Sequence, residues 1–150
     1  MSRKYDFAKR EDWLSLLAVA QEAEIRKRLA DLGNLPSFNW LRPPQIGSVM
    51  VRGRQGGTGA PFNLGEMTVT RASLTLEDGR VGHGYVQGRS LKKAEHCAIL
   101  DALMQGDEAA VVTEKVLKPL VAGVEAVRAE TAGKAALTKV DFFTMARGED

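Results

Sequence analysis

Cysteine and histidine are scarce: Cys97, His83 and His96 are the only side chains of their kinds in the 150 residues. A single thiol excludes an intramolecular disulfide and any zinc site built from several thiolates, and it cannot ligate an iron–sulfur cluster. No metal site is therefore expected. No run of about 18 apolar residues is present to cross a bilayer. The N-terminus, MSRKYDFAKRED, lacks the roughly 7–15-residue apolar core of a secretory signal, so a cytoplasmic protein without a membrane role is expected. Also missing are the Gly-Lys-Ser/Thr of a phosphate-binding P-loop and a G-x-G-x-x-G opening a helix. Neither an internal repeat nor a low-complexity tract is visible. The net charge of +2 is too small for a general nucleic-acid binder.

What is present is an ordinary globular composition, 44% apolar and 27% charged. This length and composition predict one domain over residues 1–150 that buries roughly 68–70% of its unfolded surface. From Glu11 to Leu32 apolar residues recur at three- and four-residue steps (Trp13, Leu14, Leu17, Ala18, Ile25, Leu29, Leu32), predicting a helical segment over 10–33. The stripe changes phase near Gln21, which leaves room for two shorter helices, and Gly33 marks the stop. Strand-like stretches follow over about 37–88. Phe38–Arg42 and Ile46–Arg54 are expected as a loosely connected hairpin, because Pro43-Pro44 cannot occupy a central strand. RQGGTGAPF after them reads as a loop, whereas Met67–Leu76, an Asp-Gly turn and Val81–Val86 form the clearest hairpin signal.

Ser90 is placed as the N-cap of a well-buried helix. Helices are expected over about 90–138, broken at Gly106-Asp107 and interrupted at Pro119, where a backbone donor is missing. An apolar segment, 140–146, closes the chain. Strands segregated from helices, with hairpin turns between the strands, predict an α+β fold: an antiparallel sheet in the middle, helices before and after it.

The charge is unevenly spread. Residues 41–93 carry eight Lys/Arg against three Asp/Glu, whereas residues 94–150 carry six against ten. The basic centre, with Arg54, Arg71, Arg89, Lys92 and Lys93 as its candidates, suits either a small polyanion or an acidic partner surface, or is a solvated face. The loop residues Gly56, Gly57 and Thr58 beside Arg54 could wrap a phosphate with backbone N–H groups, or form a plain hairpin turn. Arg89, Lys92 and Lys93 crowd the start of the Ser90 helix, where the macrodipole favours acids; an anion there would offset the cost. Glu95-His96-Cys97 does not match the zinc deaminases, whose H-x-E and P-C-x-x-C a chain with one cysteine cannot supply, and neighbours on a helix point apart. Cys97 is expected to be a packed apolar residue. Phe142, Phe143 and Met145 read either as tucked strand residues or as an interface.

Five segments together are more specific than any of these: RQGGTG at Arg54–Gly59, GEMTVTRA at Gly65–Ala72, GYVQGR at Gly84–Arg89, AEHCAILDALMQ at Ala94–Gln105 and VDFFTMARG at Val140–Gly148. In order and spacing they resemble the PhnG family, a component of the phosphonate carbon–phosphorus lyase core complex. The resemblance implies a bacterial accessory subunit without stand-alone catalysis, joined to subunits H, I and J and linked functionally to subunit L. It implies support for displacement of adenine from MgATP by an alkylphosphonate, giving a ribose 1-phosphonate 5-triphosphate, with later carbon–phosphorus cleavage by subunit J. MgATP is then a substrate of the complex, and no cofactor is expected on this chain. No catalytic residue is carried over. The alternative is an independent small enzyme or nucleotide-binding module that uses the basic centre.

Overall fold

The protein is described by a computed structural model over residues 4–140. Two helices, α1 (Arg10–Val19) and α2 (Glu22–Ala30), precede three strands, β1 (Phe38–Arg54), β2 (Pro61–Leu76) and β3 (Val81–Gln87). Helix α3 (Leu91–Leu103), a short α4 (Ala109–Val112), a π-turn over Thr113–Leu117 and α5 (Lys118–Leu137) follow. The three strands form one antiparallel sheet in the order β1-β2-β3. The expected α+β arrangement, strands in the middle and helices on both sides in sequence, is what forms.

The phase change near Gln21 is a real break. Ala20 and Gln21 take extended backbone angles, so α1 buries Trp13, Leu16 and Leu17 and α2 restarts with Ile25 and Leu29 on the core side. Gly33 lies at φ +82, in the left-handed region where a Cβ is costly, and its N–H closes on the Ala30 carbonyl. Gly79, at φ +89, does the same for the tight turn between β2 and β3.

Two expectations are corrected. Pro43-Pro44 does not separate two strands of a hairpin: β1 runs unbroken through it and pairs along its whole length with β2. The register slips between Trp40 and Arg42 and again between Arg42 and Gln45, and β1 is an edge strand, so prolines without donors are absorbed in a bulge. Nor does Pro119 end a helix. The interruption is the π-turn over Thr113–Leu117, after which Pro119 sits in the first turn of α5, where its missing N–H is not needed.

One face of the sheet builds the core. Ala72, Leu74 and Leu76 of β2 and Val86 of β3 pack with α1, α2, α3 and the helical segments through Val124 in one cluster. The approach of α3 is close. A Cβ added at Gly84 would lie 1.9 Å from the Ala94 carbonyl oxygen, and one at Gly82 equally close to that of Ala98. Glycines in β3 are therefore a packing requirement, with backbone set against backbone.

Asp101 ties the layers together. Its carboxylate is fully buried and accepts from Arg10 Nε (3.1 Å) and Nη2 (2.7 Å), from Trp13 Nε1 (2.9 Å) and from the His83 backbone N–H (2.8 Å). The hydrogen bonds from Arg10 raise its guanidinium pKa above the ordinary arginine value. One side chain of α3 thus fixes α1 and the outer edge of β3.

Two stability predictions rest on these contacts. Gly84→Ala is expected to cost at least ~1–3 kcal/mol in urea unfolding, the scale of an overpacked core. Gly47→Ala, whose Cβ meets nothing, should leave stability unchanged or slightly raised. Asp101→Ala should cost ~1–3 kcal/mol, because it leaves the buried Trp13 indole and the part-buried His83 N–H without an acceptor, while Arg10, 42% exposed, can turn to solvent. Asp101→Asn should rescue little, since its amide NH2 would face donors; recovery of wild-type stability by Asn would contradict the acceptor role.

Candidate functional site

Helices cover only one face of the sheet. Residues directly opposite in the register share a face, so Arg71 and Tyr85, Ser73 and His83, and Val69 and Gln87 form the other one. Arg71, His83, Tyr85 and Gln87 are exposed there. Val69 is buried but stands outside the main core cluster.

The sheet also continues past its third strand. Pairing of β3 ends at Gln87 opposite Val69, whereas β1 and β2 remain paired out to Arg54 opposite Pro61. Eight residues of β2 therefore project as a two-stranded ribbon about 25 Å long. Its turn is shorter than the expected loop, a 3-10 turn over Gln55–Gly57 with Gly56 and Gly57 at positive φ. Met50, Phe62 and Leu64 are exposed along it.

The structure distributes the candidate residues. Arg54, Gly56, Gly57 and Thr58 lie at the ribbon tip, where Arg54 Nη1 donates to the Gly59 carbonyl at 3.3 Å. Arg71 lies at the ribbon base on the open face, opposite Gln45. Nine residues of β1 separate these registers, about 30 Å along the strand. Arg89, Lys92 and Lys93 belong to the start of α3, on the helix-covered side. Ser90 is the N-cap, accepting from the Lys93 N–H at 3.0 Å.

Several cations of the basic centre already have partners. Lys92 pairs with Glu95 at 3.1 Å. Arg80 spans Asp78 and Glu108 at 2.6 and 2.7 Å, holding the β2–β3 turn to the segment before α4; its hydrogen bonds hold the Glu108 carboxyl below its ordinary range. Lys93 is only 8% exposed and donates from Nζ to the Ala18 carbonyl at 2.8 Å. Burial lowers its pKa. A lysine ill-placed against its own helix dipole is thus well placed at the C-terminal end of α1, where cations are favoured. That role was not visible in the sequence, because Ala18 and Lys93 are 75 positions apart. Of the basic centre, Arg42, Arg52, Arg54, Arg71 and Arg89 have no carboxylate partner among the described residues.

The described residues offer little reaction chemistry. Ser73 Oγ and His83 Nδ1 are 2.8 Å apart, but they lie on an exposed sheet face and nothing orients the other ring nitrogen. A triad needs that third group. No cluster of three or more His, Cys, Asp or Glu suited to a metal occurs among the described residues. His96 is half-buried, its Nδ1 has no hydrogen-bond partner, and burial lowers its pKa. Cys97 is buried on α3, its Sγ 3.7 Å from the Leu17 carbonyl, as expected of a packed residue. An apolar cleft lined by Leu32, Leu35, Pro36, Leu103 and Val111 contains none of the basic candidates. No described helix is long and apolar enough to cross a membrane. Phe142, Phe143 and Met145 lie outside the described residues.

Comparison with known proteins adds what this geometry alone cannot. The family model described as phosphonate metabolism protein PhnG matches residues 8–148. The chain is also 41% identical over 143 residues to the alpha-D-ribose 1-methylphosphonate 5-triphosphate synthase subunit PhnG of Rhizobium meliloti strain 1021, covering 95% of this chain and 92% of the relative.

Burial pushes the Cys97 thiol up to about 12 from an ordinary 9.0. Native protein at pH 8 is expected to resist a disulfide reagent that labels the unfolded chain at once, as an inert buried thiol should. The unfolded thiol ionises near 9.0 and the folded one only near 12. The stabilisation from keeping the thiol neutral is therefore complete below pH 9 and is lost as pH rises toward 12. Cys97→Ala should flatten that alkaline decline; rapid labelling of native protein would contradict the assignment.

Proposed function

The chain belongs to the PhnG family of phosphonate metabolism proteins, and from that membership we propose that it is an accessory subunit of the carbon–phosphorus lyase core complex. In this reading it joins subunits H, I and J and works with subunit L. The assembly transfers the ribose triphosphate moiety of ATP to an alkylphosphonate, with MgATP as a substrate of the complex and no cofactor held by this chain. The observation that carries the reading is the 41% identity, over nearly the full length of both chains, to a named subunit of that synthase. The described side chains support it: a thiol buried in the core and a Ser–His contact on a flat face do not make a reaction centre. Phe142, Phe143 and Met145 belong to the same proposal as a contact with another subunit.

The basic centre fits partner recognition better than enclosure of a nucleotide. A triphosphate needs several donors converging within a few ångströms, whereas Arg54 and Arg71 stand about 30 Å apart in register. A separate nucleotide-binding module would need them together.

Co-expression with subunits H, I and J is expected to recover this chain in a stable complex, with no synthase activity in the isolated chain. The combined variant Arg54→Ala/Arg71→Ala/Arg89→Ala/Lys92→Ala should fold normally, since none of these four is buried. Its assembly should weaken and lose salt sensitivity, because exposed charges act over a Debye length of ~8 Å. Normal assembly with a raised ATP requirement would instead favour phosphate contact. Lys93 is left unaltered because its role is to cap α1.

A further inference from the structure

The ribbon is two-faced. Past the register Gln45 opposite Arg71, one face carries Ile46 with Thr70, Ser48 with Thr68, Met50 with Glu66, Arg52 with Asn63, and Arg54 with Pro61, a mixed set in which Ile46 and Met50 are exposed, while Leu64 falls in the register shift between Val51 and Arg52. The other carries Gly47 with Val69, Val49 with Met67, Val51 with Gly65, and Gly53 with Phe62. Every side chain of β1 and β2 there is apolar, and the row continues onto the open sheet face at Tyr85. This is the alternation of a strand pair with one buried face, yet the helices all pack on the opposite side of the sheet.

The apolar row is maintained across its glycines. The Phe62 ring lies 3.5 Å from where a Gly53 Cβ would be, covering that gap, while Gly47 and Gly65 leave open space on the same side. Phe62 and Tyr85, at its two ends, are 45% and 49% exposed, Val49, Val51 and Met67 between them are half-buried, and Val69 is buried. An isolated two-stranded ribbon is marginal in water, and a long apolar edge is normally blunted or covered.

The surrounding charge is one-sided. Arg42 shares the face with Ser73, Arg71 shares it with Gln45 and Tyr85, and no Asp or Glu stands on it; Glu66 is on the mixed side. From Ser73 to Phe62 the face is roughly 40 Å long and two to three strands wide, on the order of 500 Å². That is more than half of the ~800 Å² each partner gives to a standard interface.

We infer that this face, with Tyr85 and Phe62 as its exposed ends and the half-buried Val49, Met67 and Val51 between them, docks into an apolar groove with an acidic rim on a partner protein of the complex. The inference rests on the subunit reading above and deepens it: the ribbon is the arm by which the chain is held. The apolar row supplies the buried centre, and Arg42 and Arg71 meet acids at the margin, where charge sets register and rejects wrong partners.

Two variants of the full chain, co-expressed with subunits H, I and J, test this. Val51→Asp/Phe62→Asp puts two charges on the apolar face, and Ser48→Asp/Met50→Asp puts two on the other face of the same ribbon, away from Arg54 at its tip. The first is expected to weaken assembly about thirtyfold or more, the scale of a hot-spot loss, while the thermal midpoint of the isolated chain stays within a few degrees. The second should assemble within about threefold of the unaltered chain. Amide exchange of the unaltered complex should show new protection over 49–53 and 62–69. Wild-type assembly of the first variant, equal losses in both, or no added protection would overturn the inference while leaving the subunit reading intact. A large fall in the isolated chain's midpoint would show that the chain covers the face itself. An unaltered chain that sediments as a dimer and a first variant that sediments as a monomer would show a second copy there. Either result overturns the inference. Failure of the unaltered chain to enter any complex would instead remove the subunit reading on which it rests.

Discussion

The buried carboxylate of Asp101 is the constraint on which the arrangement of layers depends. It sits on α3 and is satisfied by four N–H donors from three places: the Arg10 guanidinium, the Trp13 indole and the His83 backbone. A charge buried this completely is tolerated only when its lone pairs are filled, so α1 and β3 cannot move independently of α3. The edge of β3 is closed by the same group of side chains. Arg10 and Gln105 both donate to the Val81 carbonyl, at 3.2 and 2.8 Å, while Asp101 takes the His83 N–H. The start of an edge that could template aggregation is thereby covered from within the chain.

That closure is asymmetric, and the asymmetry leaves the other face of the sheet without helices. Gly82 and Gly84 let α3 settle against β3 backbone to backbone, which draws the helices to one side of the sheet. Among the described residues no helix covers the opposite face or the edge of β1 with its bulged Pro43-Pro44. The β1–β2 ribbon extends this uncovered region well beyond the body. A scaffold clamped by Asp101 and Arg80 thus presents a projecting arm whose apolar alternation finds no partner within the described residues.

Such a molecule is suited to being held in an assembly. Its thiol is protected by burial, and among the described residues the Ser73–His83 contact is not organised as a triad and the arginines without carboxylate partners are spread over several faces. Membership of the PhnG family accords with this, since the relative it matches is named as a subunit of a synthase.

Much of the fold was legible in the sequence because it is written in local signals. The Asp78-Gly79 turn, Gly33 at the end of α2, the Ser90 cap, the phase change at Gln21 and the buried α3 face are each decided by a few neighbouring residues and by backbone stereochemistry. The family, too, was legible, from five segments in order. The basic candidates were visible as charges but not as partners. Whether Lys93 faces solvent or the Ala18 carbonyl, and whether Arg80 is free or held by Asp78 and Glu108, depends on residues brought close only by folding. The same holds for Pro43-Pro44, which an edge strand can absorb and a central strand cannot. By itself the sequence determined the elements and the alternation of apolar side chains in β1 and β2. Only the tertiary structure decided which face α3 would cover, because a period of two places apolar residues on one side of a strand without saying what, if anything, lies against them.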